Sequence, residues 1–102
     1  MYEFSLTTAQ KTFLRGAGQT LESSVKVGKS GLTPEFFIEL QKHLKARELV
    51  KVRFVAAERD ERTGLAEQIA DGGRCVFVSS VGATALFYRQ NTDPARRVVT
   101  LA

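Results

Sequence analysis

VKVGKSGLTPEFFIELQKHLKARELVKVRFV, residues Val25 to Val55, changes its hydrophobic period twice. Val25 and Val27 alternate with Lys26, the period of a short strand whose lysine faces away from the core. Thr33-Pro34-Glu35 then makes a helix start: threonine caps, proline fits the first turn, and glutamate suits the positive end of the dipole. Phe36, Phe37, Leu40 and Leu44 recur at helical spacing on one side, with Ile38, Lys42 and Lys45 roughly opposite. From Glu48 the period returns to two. Val50, Val52 and Phe54 share one face and Lys51 and Arg53 the other, which predicts a strand with a basic outer face. A helix between two such strands implies a parallel crossover.

Working outward, Thr7 and Gln10 have the spacing of a capping box, and Phe13, Leu14 and Ala17 give the helix they open an apolar side. Gly16 and Gly18 are expected to end it. Beyond the central unit, Asp60 is expected to cap a third helix carrying Leu65, Ala66 and Ile69 and stopped at Gly72-Gly73. Cys75 to Val78 and Ala85 to Arg89 read as two strands joined at Gly82, an antiparallel hairpin. The tail Ala95–Ala102 is either a short edge strand or a frayed end. The predicted order is α-β-α-β-α-β-β, an α/β (α+β) fold with a small mixed four-stranded sheet packed by helices.

Composition fits a single globular domain: 102 residues, 43% apolar, with two prolines and one cysteine. One cysteine excludes an internal disulfide, and Cys75 is expected to be a reduced, buried residue on a strand. No apolar run approaches the roughly 20 residues of a membrane span. The N-terminal residues MYEFSLTTAQ lack the basic-then-apolar plan of a signal peptide, so a cytoplasmic protein is expected. The net charge of +4 is unevenly placed along the chain. Ser23–Arg53 holds seven bases (Lys26, Lys29, Lys42, Lys45, Arg47, Lys51, Arg53) against three acids, hence +4, and the other residues balance at eight and eight. The excess is therefore expected to surround the loop Gly28-Lys29-Ser30-Gly31, where a polyanion would dock.

That loop joins a strand to a helix. Its glycines permit a sharp turn and close approach of a bulky partner, and the first helical N–H groups are expected to face that approach. Lys29 adds a charge and Ser30 a hydroxyl. A sugar-phosphate backbone answers all of these, as in the GXXG loops of KH-type RNA binders. The duller reading is a plain glycine turn, and position inside the basic segment favours nucleic acid over it. A phosphate-loop NTPase is excluded, because Leu32-Thr33 follows the second glycine where that motif needs lysine and a hydroxyl. Taken singly, Lys42, Lys45, Lys51 and Arg53 read as solvated surface, with Glu39 and Lys42 an i,i+3 pair.

Catalytic chemistry finds no constellation. His43 stands alone in a lysine-rich helix, one Cys and one His cannot complete a zinc site, and Asp60-Glu61 suits a helix start better than acid/base work. No cofactor, metal or small-molecule substrate is expected. Phe87 reads as core; Tyr88, beside Arg89, is open between core and base stacking.

Three pieces in this order and spacing carry a family resemblance: Val27-Gly28-Lys29-Ser30-Gly31-Leu32-Thr33, Glu48-Leu49-Val50-Lys51-Val52, and Gly82 followed by Leu86-Phe87-Tyr88-Arg89. From about Leu6 to Arg89 the chain resembles the CRM domain (chloroplast RNA splicing and ribosome maturation), in its single-domain bacterial YhbY-type form. The resemblance implies a fold like the C-terminal domain of translation initiation factor three and an RNA-binding role for the GXXG loop, here Gly28, Lys29, Ser30 and Gly31. Plant members act in group II intron splicing, and bacterial members associate with precursors of the large ribosomal subunit. Two departures stand out: Gln90-Asn91 where a proline is often found, and an unusually apolar Cys75-Val76-Phe77-Val78. The expectation is a monomeric, non-catalytic RNA-binding protein, with Gly28, Lys29, Ser30, Gly31, Lys26, Lys42, Lys45, Lys51 and Arg53 contacting the RNA. The rival is a protein–protein adaptor with a basic surface.

Overall fold

The computed structural model describes residues 4–99 and 101. Its elements are α1 (Thr8–Gln19), β1 (Val25–Val27), α2 (Pro34–Arg47), β2 (Leu49–Phe54), α3 (Arg62–Gly73), β3 (Val76–Val81) and β4 (Thr84–Tyr88), followed by a 3-10 turn at Pro94–Arg96. The order is the one the periodicity predicts. The four strands form one sheet in the order β1-β2-β4-β3. β1 runs parallel to β2, and β4 is antiparallel to both β2 and β3. β3 thus points the same way as β2, as a crossover through α3 requires, but β4 lies between them.

Central position explains the composition of β4. Ala85, Leu86, Phe87 and Tyr88 are all buried, so successive residues meet protein on both sides of the sheet and alternation disappears. On one side, Val25, Val27, Val50, Val52, Phe54, Ala85 and Phe87 pack under α2 and α3. On the other, Leu49, Leu86 and Tyr88 pack with Leu14 of α1 and with flanking residues from both ends of the chain, including Phe4 and Val99. Tyr88 is therefore core, its ring 5.8 Å from that of Phe4.

Several local expectations change. α1 runs through Gly16 and Gly18 to Gln19, since Gly18 is buried where a Cβ would strike the side chain of Leu86. The glycine lets the helix lie close on the sheet. Glu61, not Asp60, is the residue before α3; it makes no side-chain cap to the helix and instead accepts the Glu58 N–H at 2.9 Å. α3 does end at Gly73, but Arg74 takes the left-handed cap position, with φ 53°. Cys75 lies just before β3 rather than on it. Its buried thiol donates to the Ile69 carbonyl at 3.8 Å.

The outer face of β2 is only partly a basic surface. α1 covers that side of the sheet, leaving Lys51 half-buried and Arg53 exposed.

Beyond β4 the chain forms an arm that crosses over Glu48. Residues Thr100 and Ala102 of the tail lie outside the described residues. Glu48 is wholly buried between α2 and β2, at φ 64°. Its carboxylate accepts three backbone N–H groups: Asn91 at 2.6 Å, Val98 at 2.7 Å and Val99 at 2.8 Å. Three hydrogen bonds to one carboxylate supply what a buried charge needs.

Candidate nucleic-acid interface

The GKSG loop stands at the C-terminal end of β1. Because β2 is parallel to β1, and β4 antiparallel, the same end of the sheet holds Phe54, Thr84 and the β3–β4 hairpin. The Gly31 N–H donates to the Gly28 carbonyl at 3.1 Å, closing a turn with Lys29 and Ser30 at its tip. Gly28, Lys29 and Ser30 are exposed and Gly31 half-buried.

The two glycines differ in kind. Gly31 has φ +73°, a region that L side chains adopt only at a cost, so the turn itself requires it. Gly28 has no such φ, and a Cβ there would meet nothing within 4 Å. Among the described residues, neither a steric contact nor a positive φ requires glycine at position 28.

The expected helix-end anion site is largely absent. Pro34 has no N–H and the Phe36 N–H is taken by the Thr33 hydroxyl at 3.1 Å, which leaves the Glu35 N–H alone among the donors of the first turn. The Glu35 carboxylate adds negative charge there. Anion binding at this junction falls to Lys29, Ser30 and the loop backbone.

The nine sequence-predicted residues do not form one patch. Lys26 and Arg53 are paired across β1 and β2 and both exposed, on the side of the sheet away from α2. Lys51, on that side too, borders a small cavity of about 250 Å³ beside Arg15, Gly18 and Gln19 of α1. Lys42 and Lys45 lie on the outer face of α2, across the sheet from Lys26. Lys42 pairs with Glu39 at 3.2 Å, an exposed contact of small energetic weight. Lys45 stands in the last turn of α2, about 20 Å from the loop at 1.5 Å per residue.

Sequence reasoning missed one gathering of cations. Lys45 shares an open basin of about 930 Å³ with Arg74, Arg89, Arg96 and Arg97, at the end of the sheet opposite the loop. Four of those five lie outside the segment where the net charge was placed. The linear count balanced them against acids such as Glu67 and Asp71 of α3, which do not line the basin. The expectation that positive charge surrounds the loop is corrected accordingly. Arg62, near the loop end, is committed to structure, donating to the carbonyls of Ala57 at 3.3 Å and Gly82 at 3.2 Å.

Burial pushes the Cys75 thiol up to about 12, only partly opposed by the Arg89 charge, so the sulfur stays protonated and unreactive near neutrality. Among the described residues, no group of His, Cys, Asp and Glu side chains could hold a metal ion, and no helix is long and apolar enough to cross a membrane.

The fold and its surface define a small mixed α/β domain with a glycine turn at one end and an arginine-rich basin at the other. The chain belongs to the CRS1 / YhbY (CRM) domain family, which it matches over residues 6–89. It is 34% identical over 98 residues to a Pseudomonas aeruginosa protein named "Probable RNA-binding protein PA4753", covering 96% of this chain and 94% of that one. A Bacillus subtilis protein named "Probable RNA-binding protein YqeI" is 31% identical over 88 residues, 86% of this chain and 92% of its own. The solution structure of the Staphylococcus aureus protein SAV1595 superposes with a TM-score of 0.79 at 25% identity, covering 94% of this chain and all of that one.

Proposed function

We propose that this protein is a non-catalytic, cytoplasmic RNA-binding protein that acts as a monomer on ribosomal RNA during assembly of the large ribosomal subunit. The GKSG loop holds the sugar-phosphate backbone. Gly28 is the observation that carries this reading: it is exposed, faces open space and needs no special φ, so the missing side chain serves a partner rather than the fold. Lys29 supplies charge and Ser30 a hydroxyl donor at the tip of the same turn, and Lys26 with Arg53 adds charge around the β1 edge. Relatives named as RNA-binding proteins support the partner class. The resemblance to YhbY-type proteins supports the ribosomal assignment.

The test is crosslinking in living cells followed by sequencing of the attached RNA, for wild type and for a Gly28→Asp, Lys29→Ala variant. Large-subunit ribosomal RNA is expected to dominate the wild-type reads and to fall sharply in the variant. Wild-type reads spread over unrelated RNAs would overturn the ribosomal assignment; undiminished recovery in the variant would overturn the loop's role.

A further inference from the structure

The basin opposite the loop carries more positive charge than the fold itself uses. Its walls come from the end of α2 (Lys45), the cap of α3 (Arg74), the residue after β4 (Arg89) and the arm (Arg96, Arg97). Among the described residues no carboxylate lines it. Cations beside helix C-termini have an ordinary explanation, since each terminus carries about half a negative charge. Two termini then offset about one charge, buried Glu48 another, and exposed Asp93 beside Arg96 a third, against five. An excess of about +2 remains in one concavity. Mutual repulsion in such a basin disfavours the fold by itself and favours an external anion.

The donors are also suitably disposed. Arg89 uses Nη1 on the Gly73 carbonyl at 3.2 Å and Arg97 uses Nε on the Asn91 carbonyl at 2.9 Å, which fixes both planes and leaves their other N–H groups. Among the described residues, the Arg96 side chain meets only exposed Asp93, at 3.8 Å. Guanidinium forks held in this way match phosphate oxygens in bidentate fashion. Arg96 and Arg97 lie beyond residues 6–89, the span of the family match, on the arm that follows β4.

We propose that this basin is a second RNA-phosphate site, reached by a strand that leaves the GKSG loop and runs along α2, with the Glu48-held arm supplying two of its cations. The proposal rests on the RNA-binding reading above, and its test separates the two. The probe is a fluorescein-labelled single-stranded RNA of roughly 20 nucleotides, long enough to pass several phosphates along α2. It is titrated over a range of salt against wild type, a Gly28→Asp loop variant, and a basin variant carrying Lys45→Gln, Arg74→Asn and Arg96→Gln. Among the described residues those three side chains make no hydrogen bond that holds the fold, and asparagine tolerates the left-handed backbone at position 74.

Three lost contacts at about 0.7 each lower the salt slope by about 2, which is roughly a hundredfold loss of affinity at 0.1 M salt relative to 1 M. Wild-type affinity and slope in the basin variant would overturn the second site, even where the loop variant is weakened. Loss in the basin variant with none in the loop variant supports the basin and removes the loop assignment. No binding by wild type at low salt removes both. Should the basin variant fold poorly, amide chemical shifts of wild type on adding the same RNA decide. Shifts at Arg74, Asn91 and Arg97 are expected; shifts at the loop alone would overturn the proposal.

Discussion

The Glu48 carboxylate and the Val98 amide, fifty residues apart, are joined by a 2.7 Å hydrogen bond that ties an exposed arm to a side chain with no solvent exposure. The same Oε1 accepts Val99 and the other oxygen accepts Asn91. Glutamine is nearly isosteric but presents an NH₂ to one of those donors. Glu48→Gln is therefore expected to cost about 1–3 kcal/mol, the range for leaving a buried donor or acceptor unsatisfied. Urea unfolding measures it, and amide exchange at Asn91, Val98 and Val99 should quicken together. An unchanged midpoint with unchanged exchange would show that the arm is held by its apolar contacts, Val99 among them.

Gly28 and Gly31 should separate cleanly. At Gly31, φ +73° makes alanine strained, and Gly31→Ala is expected to destabilise by about 1 kcal/mol or more. Gly28→Ala has room and an ordinary backbone, so its stability should hold or rise by about 0.4–1 kcal/mol through a less flexible unfolded chain. Its RNA affinity should nevertheless fall, because the Cβ occupies the space a phosphate or ribose would use. Thermal unfolding and RNA titration of both variants check this. Equal stability losses in the two would mean that Gly28 serves the turn after all.

Much of this architecture is legible from local chemistry. The capping box at Thr7 and Gln10 is present in both halves, Thr33 caps α2, and Val50, Val52 and Phe54 are core as their alternation predicts. What escapes is information held between distant segments. The placement of β4 between β2 and β3 leaves no mark in any one strand, except that both of its faces are apolar. Glu48 reads as an ordinary polar residue at a strand start, because its partners lie 43 to 51 positions away. The basin is invisible for a related reason: charges that cancel along the chain are separated in space. The loop is the converse case, since its glycines are visible in sequence but only the backbone angles distinguish structural Gly31 from Gly28.

Cys75 gives a prediction in pH. Its folded value, raised to about 12 by burial, lies above the unfolded 9.0, so folding favours the protonated thiol. That contribution is complete below pH 9 and is lost as pH rises from there through about 12, because the unfolded chain releases its proton first. Stability of wild type should therefore fall more steeply across this window than that of Cys75→Ala, as denaturant midpoints taken at several pH values would reveal. Parallel curves would mean the thiol ionises as readily in the folded chain. Native Cys75 should also resist a thiol-alkylating reagent near pH 8 until urea is added.

The route of RNA beyond the loop has two candidates, on opposite sides of the sheet. One runs along α2 past Lys42 to Lys45, and the other turns around the edge strand β1 to Lys26 and Arg53. Lys42 is already paired with Glu39, whereas Lys45 opens onto the basin, so an α2 route should depend on Lys45 far more than on Lys42. The β1 route should depend on Lys26 and Arg53 together and little on Lys51, which is half-buried beside α1. Single-stranded RNAs of increasing length distinguish them. For the α2 route, the Lys45→Gln penalty should be small for the shortest RNA that fills the loop and should grow until the strand covers about 20 Å, the length of α2. For the β1 route, the Lys26→Gln, Arg53→Gln penalty should reach its full size with a much shorter RNA, because Lys26 is two residues from the loop. We expect the length dependence on the α2 side. A Lys45→Gln penalty that is constant at every length would assign that lysine to general charge alone, and its absence at every length would send the strand around β1.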